Sequence, residues 1–170
     1  MRVTLDWFEV RIGSEVGCTR QFDNMRDMLG HRYGFKGDAI STHIQAACAE
    51  MAAAKALGLY WCGSMASRSE VDIGRDVQVR HTEREAGCLI VHGSDDDDHA
   101  FVLVTGQIPE FEVVGWIRGR DAKRPEFVRE PHPGRPAYFV PQSALIDIHH
   151  LSPVVMEPQA DRVIDLTGAK

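Results

Sequence analysis

The chain has 170 residues, 44% of them apolar and 26% charged, with a net charge of −6 and a pI near 5.7. That length can bury a sizeable core in one domain, and the composition is ordinary for a soluble globular protein. The acidic balance argues against a dedicated nucleic-acid coat, which would be basic overall, but leaves room for an enzyme with local basic patches around an acidic metal site.

The first six residues include one basic side chain and no long apolar stretch follows, so no signal peptide is expected; no run approaches a membrane span. Cys18, Cys48, Cys62 and Cys88 are scattered and form no C-x-x-C pair. Cys88 and His92 are spaced like half of a zinc site with no second half nearby. The cysteines read as reduced, mostly buried thiols of a cytosolic protein. One domain over residues 1–150 and a loose tail over 151–170 are expected.

Leu5, Phe8, Ile12 and Val16 recur at helical spacing, which predicts a helix from Leu5 to about Met28 with Thr4 as its N-cap, although Gly13 and Gly17 weaken it. Gly30 to Gly37 reads as a loop. A second helix is predicted over Asp38 to Leu57, started by Ser41 or Thr42, filled with alanine and ended by Gly58. Strand-like runs follow at Val71–Ile73, Val77–His81, Leu89–Val91, Phe101–Thr105 and Phe111–Ile117, and their sequence suggests a largely antiparallel meander. A short helix within Gly119–Val128, a Pro-rich loop at 131–136 and a last strand at Tyr138–Val140 complete the expected order.

The chemistry-bearing residues fall in the middle. Glu50 stands on the alanine-rich helix, sharing a face with His43 seven residues earlier. Ala46, Ala47 and Ala54 around it would let the helix approach a sheet, where a carboxylate is costly unless it is paired or binds a cation. Solvation, or a structural bridge to Lys55 or Arg80, is the plain alternative. Asp72 and Asp76 flank the turn Gly74-Arg75, and the next strand carries Gln78 and Arg80 on one face with Val77 and Val79 toward the core. Asp72 and Gln78 could then converge on one Mg²⁺ ion, with Glu50 approaching from the helix. Such a metal lowers the pKa of a bound water, and Arg80 would stabilise charge on a phosphate.

This arrangement, V-D-I-G-R-D-V-Q-V-R preceded by a helical Glu, resembles the PD-(D/E)XK nuclease superfamily over roughly Ser41 to Thr105. The resemblance implies an α/β domain with a restriction-endonuclease-like αβββαβ core, a mixed sheet and flanking helices. It assigns Glu50 and Asp72 to Mg²⁺ or Mn²⁺, leaving Asp76 as an alternative ligand. Gln78 stands at the second acid and Arg80 at the catalytic Lys. Both depart from the pattern: Gln is a neutral ligand, and Arg stays charged and makes a poor general base. The chain also resembles proteins encoded by phages and prophages, which implies the cytoplasm of an infected or lysogenic host. The expected activity is metal-dependent cleavage of DNA. Enzymes of this fold often act as dimers, so a homodimer is implied as well. A nuclease-like fold that has lost catalysis and binds DNA or a protein, favoured by Gln78, Arg80 and the acidic pI, is the second expectation. A structural phage component is the third.

Arg118, Arg120, Lys123 and Arg124 form the basic cluster, expected either to contact DNA phosphate or to form a bridged surface helix with Asp121 and Glu126. Arg129 and Arg135 could extend it. Asp95 to Asp98 lacks the glycine and closing Glu of an EF-hand loop and reads as a solvated hairpin tip. Trp7, Phe8, Trp61 and Trp116 are expected in the core, with Phe111 and Trp116 on opposite faces of their strand. His149-His150 is a weak metal signal. No phosphate-binding glycine loop or nucleophile elbow is present.

Overall fold

Caps and small residues determine how the first half folds. The computed structural model describes residues 1–27, 38–63 and 71–152. Strand β1, Arg2–Thr4, precedes helix α1, Trp7–Arg26. The N-cap is Asp6, not Thr4: its carboxylate accepts from the Phe8 and Glu9 amides, and Glu9 reaches back to the Asp6 amide. This reciprocal box satisfies amide groups that would otherwise be orphaned, and it fixes the phase of the helix. Val10, Gly13, Val16 and Gly17 consequently face inward. Trp7 and Phe8, expected in the core, are turned to solvent.

Helix α2, Ala39–Leu57, starts at Asp38 rather than at Ser41 or Thr42, because the Asp38 carboxylate accepts from the Ile40 amide. Gly58 closes it at φ 65°, a left-handed conformation that glycine adopts without a Cβ clash. The two helices pack tightly. A Cβ placed on Gly17 would lie 2.5 Å from the Ile44 α-carbon, and one on Gly13 would lie 2.6 Å from Cys48 Sγ.

The remaining strands are β2 (Val77–Thr82), β3 (Leu89–His92), β4 (Ala100–Gln107), β5 (Glu110–Arg118), β6 (Val128–Arg129) and β7 (Ala137–Val140). They do not form one meander. The main sheet has the order β1-β5-β4-β2, and a second sheet has the order β3-β7-β6. β3 leaves its sequence neighbours to pair with β7, so β2 pairs with β4 in parallel while β4 pairs with β5 antiparallel. The expected strand at Val71–Ile73 reduces to one bridge, Ile73 to Val77, across the Gly74 turn. A one-turn helix α3, Gly119–Ala122, follows β5, and a 3₁₀ turn spans Pro125–Phe127.

The protein is thus mixed α/β, with three layers among the described residues. Helices α1 and α2 cover one face of the main sheet in a core that includes Leu5, Ala49, Ala53, Val79, Val102 and Val113. The second sheet covers part of the other face, where Leu89, Val91, Phe101, Leu103, Ile117 and Val140 meet. The β4–β5 register shifts between Leu103 and Val104, leaving Val114 as an extra residue. A bulge reverses side-chain parity. Phe111 and Trp116 therefore lie in the same helix-side core rather than on opposite faces. Among the described residues no helix is long and apolar enough to cross a membrane. The expected loop at 30–37 and the tail beyond residue 152 lie outside the described residues.

Candidate functional site

β2 is an edge strand, and the singled-out residues lie on it or beside it, divided between its two faces. Asp72 stands beside that edge. Its amide donates to the Val77 carbonyl, and its Oδ2 accepts from the Val79 amide at 2.7 Å. Asp72, together with Ile73, thereby supplies partners to part of the exposed edge.

Glu50 reaches the same place from α2. It is buried, and its charge is met by Arg20 of α1, a residue absent from the sequence-based set. The guanidinium binds in a fork, Nη1 to Oε1 at 2.6 Å and Nη2 to Oε2 at 2.8 Å. The Trp61 indole donates to Oε2 at 3.2 Å. Neither Lys55 nor Arg80 is the partner; Lys55 instead binds Glu9 and the Thr4 carbonyl. Arg20 occupies the inward face of α1 that Val16 and Gly17 mark, and a charge on a buried stripe is the signal by which it could have been found.

Asp72 and Glu50 sense each other. Although residue 72 is half-buried, its carboxylate turns inward, and burial followed by the nearby Glu50 charge pushes its pKa up to about 7. The Val79 amide, Arg80 and Arg20 oppose that rise. Burial lowers the Arg20 pKa, but its hydrogen bonds to Glu50 and the Glu50 charge outweigh this and hold it above its ordinary value. Burial and Glu50 push the Cys48 thiol up to about 11.

Gln78 and Arg80 face the other way. Val77 and Val79 point to the helix-side core, so the alternate residues project from the opposite face of the sheet. There the Arg80 guanidinium lies over the Phe101 ring at 5.1 Å, donates to Gln78 Oε1 at 3.1 Å and pairs with Asp95 at 3.0 Å. The structure brings Glu50 and Asp72 together, with Arg20, on the helix side. It joins Gln78 and Arg80 to Asp95 on the far side.

This donor set does not fit a divalent cation. Both Glu50 oxygens are held by Arg20, Asp72 Oδ2 is held by Val79, and Gln78 Oε1 is held by Arg80. Mg²⁺ needs near-octahedral oxygen ligation. Among the described residues no three His, Cys, Asp or Glu side chains are grouped to hold a metal.

The two charge runs read separately in the sequence meet in space. Arg118 pairs with Asp76 at 2.9 Å, Arg120 with Asp98, Lys123 with Asp97 at 2.6 Å, and Arg124 approaches Glu126 at 4.0 Å. Lys123 also donates to the Gly93 and Asp95 carbonyls. The Asp95–Asp98 segment is solvent-exposed at Asp96, Asp97 and Asp98, as expected, but it is a cross-linked loop rather than a hairpin tip. It connects strands of different sheets, and Arg118, Arg120 and Lys123 bind it. Asp76 accepts from Arg118. His149 and His150 lie exposed in a 3₁₀ turn capped by Asp147. Arg129 and Arg135 are also exposed. The cysteines are free thiols, but only Cys48 is buried; Cys62 and Cys88 are exposed because they lie in segments outside the helices and strands.

No protein-family model matches the chain, and no curated protein and no solved structure is significantly similar to it.

Proposed function

We propose that this chain is a nuclease-like α/β domain that binds a macromolecular partner without cutting phosphodiesters, and that the partner is a protein. The observation that carries this reading is the closed Arg20–Glu50 fork. A helical carboxylate that would serve a metal is spent on a guanidinium, at distances of 2.6 and 2.8 Å. The position of a catalytic Lys holds Arg80, which cannot act as a base and is itself tied to Asp95. The preference for protein over DNA rests on charge. The net charge is −6, and Arg118, Arg120, Lys123 and Arg124 each have an acidic neighbour. Phosphate contacts would have to displace those carboxylates.

A second reading, metal-dependent DNA cleavage, is favoured by one observation: two inward-turned carboxylates, Glu50 and Asp72, repel each other beside a sheet edge. A cation would relieve that repulsion if Arg20 withdrew. Calorimetric titration with Mn²⁺, alongside cleavage assays on branched and single-stranded DNA, separates the two. The binding reading expects no saturable Mn²⁺ binding and no cleavage. Saturable binding that is lost in Asp72→Ala and Glu50→Ala, with cleavage, would overturn it in favour of the nuclease.

A further inference from the structure

Helix α1 carries large apolar residues on both its inward and its outward side. Its inward face packs on α2, yet Trp7, Phe8, Ile12, Phe22 and Met25 are 73%, 70%, 38%, 59% and 62% exposed. At about 100° per residue these five fall within an arc of about 140°, opposite Val10, Gly13, Val16 and Gly17. The three rings, each more than half exposed, leave about 400 Å² of aromatic surface in water. It is divided between the two ends of the helix, Trp7 and Phe8 at one and Phe22 at the other.

We propose that this face of α1 pairs with the same face of a second copy of the chain, antiparallel about a two-fold axis near Glu15. The proposal stands whether or not the domain cuts DNA. Two features of the face select a second copy. The first is its order: aromatic residues at both ends and charged residues between them. An axis at Glu15 sets Phe8 of one copy against Phe22 of the other, twice over, as an isologous interface requires. The second is charge. Arg11 and Glu15 form the exposed middle of the face, 3.4 Å apart on one helix. The axis sets the two Glu15 carboxylates side by side, each paired with its own Arg11 and with the second copy's Arg11 one turn further along, so the four charges sum to zero. Antiparallel helices also oppose their dipoles favourably. Burying the rings alone would remove about 800 Å², roughly half of a standard interface, and Ile12, Met25 and the stems of Arg11 and Glu15 extend it.

Sedimentation velocity on the full chain over a wide concentration range tests the pairing. The wild type is expected to form a concentration-dependent dimer. Phe8→Lys and Phe22→Glu, each altering one exposed ring, should sediment as monomers with unchanged circular dichroism. Val128→Lys, on the second sheet, should leave the dimer intact. An equimolar mixture of Phe8→Lys and Phe22→Glu should dimerise again, because the new ammonium faces the new carboxylate at one end while Phe22 still meets Phe8 at the other. A wild type that stays monomeric at every concentration would overturn the proposal. So would a dimer that survives both substitutions, or a mixture that fails to reassociate.

Discussion

Arg20 and Glu50, thirty residues apart in the chain, join α1 to α2 through a two-bond fork between side chains that are 17% and 8% exposed. Removing one partner of such a pair leaves a charge stranded out of water, which costs about 3–5 kcal/mol, whereas replacing both with apolar groups is often close to neutral. Arg20→Met is therefore expected to lose stability in that range. Arg20→Met/Glu50→Leu should recover most of it, falling short by the hydrogen bond that Trp61 gives up. Urea unfolding of the two singles and the double closes the cycle. Additive losses would show that the fork is not an energetic unit.

Gly17 and Gly13 predict unequal tolerances on the same helix face. Glycine to alanine inside a helix gains about 1 kcal/mol from propensity when space allows. At Gly17 the added methyl would meet backbone atoms of His43 and Ile44, which cannot step aside without moving α2. Gly17→Ala should cost about 1–3 kcal/mol or more, as overpacking does. At Gly13 the nearest atom is Cys48 Sγ, the end of a side chain that can rotate. Gly13→Ala should cost less than Gly17→Ala. Thermal unfolding of both ranks them, and the reverse order would refute the helix–helix packing described here.

The loop at Asp95–Asp98 depends on one half-buried lysine. Lys123 is 16% exposed in its side chain and donates to the Gly93 carbonyl, the Asp95 carbonyl and the Asp97 carboxylate. Lys123→Met should cost about 1–3 kcal/mol, because three acceptors lose their donor. It should also speed amide exchange across residues 92–99. Arg120→Ala, which breaks a pair between side chains 62% and 74% exposed, should cost less than about 1 kcal/mol. Equal costs would mean that the loop does not rest on Lys123.

The helices and most strands were legible because their signals are local. Gly58 ends α2 where expected, and strands expected at Phe101–Thr105, Phe111–Ile117 and Tyr138–Val140 extend by only a residue or two. Pairing was not legible. Nothing in Leu89–His92 announces that it will join β7, 45 or more residues away, and that choice alone makes β2 and β4 neighbours in parallel. The extra residue at Val114 is equally silent, yet it turns Trp116 to the helix side. In the site, Glu50 and Asp72 stood out as carboxylates in apolar company. Arg20 did not, because an arginine in a long helix reads as solvent-facing until the inward phase set by Asp6 is known.

Asp72 gives the fold a pH dependence with a definite sign. Its carboxyl titrates near 7 in the folded chain, raised first by burial and then by Glu50, against about 3.9 in an unfolded one. Between those values the folded state keeps a proton that the unfolded state has released, so stability falls as pH rises through this window. The contribution is fully present below about pH 4 and lost above about pH 7. Asp72→Asn keeps an oxygen for the Val79 amide and removes the titration. The variant should unfold at higher urea than the wild type at pH 8, with the gap narrowing steadily as pH falls toward 4. Parallel curves for the two proteins across that range would show that the Asp72 carboxylate is charged at no cost, and that its closeness to Glu50 is already balanced by Arg20 and Arg80.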